Sequence, residues 1–132
     1  MACFDMFMDH PILGVGWRAF PVLFTEYAPT GYPFWTLVDE SHTVLTTILA
    51  ELGFIGMVAA LWFIGRTLRV GITEIDKMQD PYLRGTLIGL VAVFIAFQVN
   101  QSFNGDFSNN IYWFYIGMLF AVIRLDKEAR AA

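Results

Sequence analysis

One cysteine, Cys3, stands among 132 residues. That count excludes a disulfide framework and a cysteine-based zinc site. Charge is scarce as well: Asp, Glu, Lys and Arg make up 15% of the chain, against about 25% in an ordinary soluble domain. Eight basic residues against twelve acidic ones leave a formal charge of −4. A nucleic-acid partner would need a clustered basic face, which this balance does not supply. Intrinsic disorder is excluded too, because disordered chains are polar and highly charged. The two histidines, His10 and His42, have no further ligands at metal spacing, so neither a metal nor another cofactor is expected. Gly14-Val15-Gly16 lacks the remaining glycine and the lysine of a phosphate-cradling loop. Internal repeats and low-complexity tracts are missing.

What is present is apolar. Hydrophobic residues make up 57% of the chain and aromatics 17%, with a mean hydropathy of +0.56. So short a chain cannot bury that much apolar surface in a core of its own. The expected fold class is an all-α membrane protein. Three apolar stretches approach the roughly 20 residues a helix needs to cross the hydrocarbon. They run from Thr43 to Gly65, from Gly85 to Gly105, and from Phe107 to Ile123, extendable to Leu125.

The charges orient these spans. Arg66, Arg69, Lys77 and Arg84 surround the first connection, and Arg124, Lys127 and Arg130 follow the third stretch. If all three helices cross, seven of the eight basic residues fall on one side. The positive-inside rule then makes that side cytoplasmic. Residues 1–42 become an extracytoplasmic segment, residues 43–125 a three-helix membrane region and residues 126–132 a cytoplasmic tail. In the outer segment Pro11, Gly14, Gly16, Pro21, Pro29, Gly31 and Pro33 interrupt an aromatic-rich run. Short helices at the membrane surface or folded over the spans are expected there.

Four features carry candidate chemistry. His42 stands at the mouth of the first stretch. On an unbroken helix Thr46, Leu49, Gly53, Gly56 and Ala60 would share its face, a small-residue stripe that lets helices approach closely. A neutral imidazole there suits a general base toward a hydroxyl; the plainer reading is an interfacial histidine at a helix start. Glu51 is costly in hydrocarbon and so a functional candidate, unless the membrane begins near Leu49 and it is merely interfacial. Arg18, the one basic residue outside, suits a phosphate or pyrophosphate, though a solvated or headgroup-paired arginine is the commoner case. Asn100, Gln101, Asn104, Asp106, Asn109 and Asn110 either line an outer cavity or form the turn between two spans.

Two stretches read together resemble the O-antigen ligase family, bacterial polytopic enzymes that include related polysaccharide polymerases. The first is Asp9-His10-Pro11-Ile12-Leu13-Gly14-Val15-Gly16-Trp17-Arg18-Ala19-Phe20. The second is Glu40-Ser41-His42-Thr43, followed by Ile48-Leu49-Ala50-Glu51-Leu52-Gly53-Phe54-Ile55-Gly56. The family pairs a Pro-Leu-x-Gly-x-Gly element in a periplasmic loop with a histidine and, at a set spacing, a Gly-x-x-Gly opening a span. Thr43 departs from the Asn, Ser or Gln usual after the histidine. The resemblance covers about Asp5 to Leu125, which is only the C-terminal part of the family's architecture.

The resemblance implies a multi-pass protein of the bacterial inner membrane, with residues 1–42 periplasmic and the C-terminus cytoplasmic. It implies glycan transfer from an undecaprenyl-pyrophosphate-linked donor to an acceptor hydroxyl at the periplasmic face, without metal. His42 would be catalytic; Arg18, which matches none of the family's loop arginines, and Glu51 are expected substrate-binding residues on their own chemistry and not from the resemblance. Its partners would be membrane lipids, the donor and the acceptor. For that function 132 residues are too few, so a larger polytopic bundle is expected, with this chain its end. The competing expectations are a non-enzymatic transport or assembly module and an inactive fragment.

Overall fold

The computed structural model describes residues 2–27, 44–103 and 110–131. They form five helices and connecting turns, without a strand among the described residues: α1 (Ala2–Asp9), α2 (Phe20–Tyr27), α3 (Val44–Ile75), α4 (Pro81–Gln101) and α5 (Asn110–Ala131). The chain divides into two compact units, Met1–Leu61 with Gln101–Asp106, and Trp62–Asn100 with Phe107–Ala132.

In the first unit, α1 stops where Pro11 disfavours helical backbone at His10. Pro21 falls in the first turn of α2, where its missing N–H removes no helical bond. Met6, Phe20 and Ala50 form a small core, with Cys3, Val15, Leu23, Phe24 and Tyr27 packed around it. The short helices expected within residues 1–42 are thus present as α1 and α2.

α3 is not an unbroken helix. Gly53 has φ 65° and ψ −163°, which interrupts the helical ladder. The small-residue face reckoned from His42 therefore holds no further than Gly53, because the wheel angle is lost at the break. α3 also runs beyond the expected end at Gly65 to Ile75. Arg66 and Arg69 end the apolar run there, but both are good helix formers and leave the backbone intact.

In the second unit the rest of α3 packs with α4 and α5. Met78, Leu87, Leu90, Val91, Leu119, Val122 and Ile123 make one core, and Phe94, Tyr112 and Ile116 a second. A Cβ on Gly71 would come within 2.7 Å of Val91 Cγ2, so α3 and α4 cross closely there. α4 starts at Pro81, earlier than expected, and ends at Gln101, short of Gly105. Its start is set by Asp80, whose Oδ1 accepts from Tyr82 N at 2.7 Å and caps the helix.

Two helices among the described residues, α3 and α4, are long and apolar enough to cross a membrane. Most of each is exposed: α4 buries Leu87, Leu90, Val91 and Phe94 yet leaves Ile88, Ile95 and Val99 outside. A helix that is apolar all round needs either a deep core or lipid around it. α5 does not join them. It begins at Asn110 and stays helical through Arg124, Asp126, Lys127, Glu128 and Arg130, so its uncharged portion is short.

Candidate functional site

His42 and the Asn104–Asn109 part of the polar cluster lie outside the described residues. Arg18 and Glu51 lie inside them, and the structure joins them in an arrangement built mainly from backbone.

In an unbroken α3, Phe54 N would donate to Ala50 O and Ile55 N to Glu51 O. The turn at Gly53 separates these groups, and residues 11–16 occupy the gap. Val15 N donates to Ala50 O at 3.0 Å and Gly16 N to Glu51 O at 2.9 Å. On the other side of the break Phe54 N donates to Pro11 O at 2.9 Å and Ile55 N to Ile12 O at 3.3 Å. Four bonds to residues 11–16 thus serve the groups of Ala50, Glu51, Phe54 and Ile55, each contributing about 1 kcal/mol net. The backbone groups at the break are thus satisfied, which is the condition for tolerating one.

Glycine is required on both sides of this contact. Gly14 has φ 71°, and a Cβ there would overlap the backbone carbonyl of Glu51. On Gly53 a Cβ would come within 2.5 Å of Ile12 O and 2.6 Å of Gly14 N. The Gly-Val-Gly element, which makes no nucleotide loop, is here a segment for docking against a helix break.

The Glu51 side chain completes the join. It is 5% exposed. Its Oε2 accepts from Arg18 N at 2.8 Å and its Oε1 from Phe20 N at 3.1 Å. Neither Arg18 nor Ala19, the residues just before α2, has a side chain able to cap a helix. Glu51, 31 positions from Phe20 in sequence, takes that place. A carboxylate at a helix N-terminus is also favoured by the helix dipole. Arg18 is the one described non-glycine residue at positive φ, 56°. That conformation costs about 1–2 kcal/mol, which a charge-assisted hydrogen bond to its N–H is large enough to offset.

Arg18 and Trp17 are exposed, and among the described residues the Arg18 guanidinium makes no ion pair. The guanidinium and the Glu51 carboxylate therefore do not neutralise each other. Tyr27, at the far end of α2, donates its hydroxyl to Asp9 Oδ2 at 2.8 Å. That bond, with the nearby acidic charge, raises the Tyr27 pKa above its ordinary value.

Sequence reasoning picked out Arg18 and Glu51 but missed Gly14 and Gly53 as the pair on which their meeting depends. The available signal was a glycine inside an apolar helical run, read as a small-residue face when it marks a break. No protein-family model, curated protein or solved structure matches the chain.

Proposed function

We propose that this chain is the C-terminal membrane portion of an O-antigen-ligase-like enzyme. It transfers a glycan from an undecaprenyl-pyrophosphate-linked donor to an acceptor hydroxyl at the periplasmic face of a bacterial inner membrane. The docking of residues 11–16 across the break in α3 carries this reading. The two stretches that hold the resemblance are far apart in sequence, and they meet through four backbone hydrogen bonds and one carboxylate. A motif that pairs Gly-x-Gly with a distant Gly-x-x-Gly, here beginning at Gly53, has a physical reason in that contact.

In the proposed reaction the His42 imidazole takes the proton of the acceptor hydroxyl. The freed oxygen attacks the anomeric carbon, the bond from that carbon to the pyrophosphate oxygen breaks, and undecaprenyl pyrophosphate leaves. Arg18 offsets the charge growing on the departing group. In a full-length protein carrying this segment, His42→Ala is expected to abolish transfer while membrane insertion is retained, read as product on a glycan gel and protein in the membrane fraction. Undiminished product overturns the reading.

In the same proposal α5 is a third span. The connection before it lies outside the membrane, and the basic ends of α3, α4 and α5 lie inside. Asn110 and Arg124 are both exposed, which makes them usable reporters. In a Cys3→Ser background, Asn110→Cys should react with an impermeant thiol reagent on intact spheroplasts. Arg124→Cys should react only after permeabilisation. Labelling of both from one side shows that α5 does not cross.

A further inference from the structure

We infer that Glu51 is a positioning residue: its carboxylate holds the Arg18 backbone, and through it places the Arg18 guanidinium for the pyrophosphate of the donor. The inference rests on the glycan-transfer reading and replaces a direct contact between Glu51 and substrate.

Three observations converge on it. Both Glu51 oxygens are committed to main-chain donors, Arg18 N and Phe20 N, within a nearly fully buried carboxylate. Arg18 sits at positive φ, a conformation its side chain disfavours, so something outside the residue must hold it there. The bond to Arg18 N supplies that hold. Lastly, Arg18 is exposed and without an ion pair among the described residues, and no other Lys or Arg precedes Arg66. A cation whose backbone is pinned and whose charge has no ion-pair partner among the described residues is suited to an anionic group arriving from outside. A guanidinium matches phosphate oxygens bidentately only when its approach is set.

Glu51→Gln keeps the size and one acceptor oxygen but places an NH2 donor against a backbone N–H. One of the two amides must lose its partner. Hydrogen exchange, followed by mass spectrometry on the membrane-embedded protein, is expected to speed up about tenfold at Arg18 or Phe20, whichever amide faces the new NH2. Val15 and Gly16 should stay protected, because their acceptors are main-chain carbonyls. In glycan transfer with the undecaprenyl-pyrophosphate-linked donor, Glu51→Gln should raise donor KM about tenfold with kcat little changed.

Arg18→Ala should raise donor KM as much without altering exchange at Phe20, and the double variant should be no worse than Arg18→Ala alone. Unchanged exchange at Arg18 and Phe20 in Glu51→Gln overturns the inference. So does faster exchange with unaltered donor KM. A full-length protein carrying the unmodified segment that transfers no glycan overturns the functional reading instead, a result the exchange measurement cannot produce.

Discussion

Gly14→Ala and Gly53→Ala are each expected to unseat residues 11–19 from α3. A left-handed φ alone costs a side-chain-bearing residue about 1–2 kcal/mol. The steric term is larger, because the atoms met are backbone and not the ends of flexible side chains. On Gly14 the obstacle is the carbonyl of Glu51; on Gly53 it is Ile12 O and Gly14 N. Relieving either overlap requires the two segments to separate, which breaks the four hydrogen bonds at Val15, Gly16, Phe54 and Ile55. With roughly 1 kcal/mol per bond the total loss is about 4–6 kcal/mol. Separated segments also leave the Glu51 carboxylate without the two amides it accepts from. Thermal unfolding in detergent should drop sharply for both variants, and amide exchange at those four residues should become fast. Gly16→Ala is the control: a Cβ there meets only Ala19 Cβ, at 3.8 Å, though Gly16 also has positive φ. It should cost only the backbone term. Equal losses for all three variants would show that steric contact at Gly14 and Gly53 is not what holds the join.

At the charged ends of α3 and α5, Glu74→Gln is expected to loosen the second unit and remove part of its acid sensitivity. Glu74 is buried, and Lys77 Nζ donates to its Oε1 at 2.9 Å. Lys127 Nζ lies 3.6 Å from Oε1 and Arg130 Nη2 lies 3.8 Å from Oε2. Arg130 is in turn paired with the buried Asp126 at 2.7 Å. One carboxylate on α3 thus faces two cations on α5. The hydrogen bond from Lys77 lowers the Glu74 pKa below its ordinary 4.5, burial works against it, and the charges of Lys127 and Lys77 help lower it. A depressed carboxyl pKa means that the unfolded chain takes up the proton first. The stabilisation is then complete above the unfolded pKa and is lost as pH falls through the folded one, which lies below 4.5. Both lysines are more than half exposed, so solvent screens them and the expected loss on Glu74→Gln is about 1–3 kcal/mol. Unfolding midpoints at pH 7 and stepwise through the acid range below 4.5 check both parts. A Gln variant with the parent's full acid dependence would place the sensitivity elsewhere.

The structure and the sequence differ most at α3. Apolar content from Thr43 to Gly65 called for a helix, and a helix is there. Its break was not legible, because hydropathy reads side chains and the break is made by backbone. The same limit applies to Glu51. As a lone carboxylate in an apolar run it pointed to substrate or to an interfacial position. Its partners are two main-chain amides whose identity no side chain announces. α5 shows the converse case, since charges from Arg124 onward end an apolar stretch without ending a helix.

Scarce charge, abundant apolar residues and the spacing of proline and glycine determined that the chain is helical, with short helices before Pro29 and long apolar ones after it. Asp80-Pro81 was enough to start α4. Only the tertiary structure decided that Gly53 opens α3, that Pro11–Gly16 fills the opening, and that Glu51 caps α2. Local helix formation depends on neighbours three or four residues away, which a sequence displays. A backbone group can bond any other that reaches it, and which one does is settled only when the chain folds back on itself.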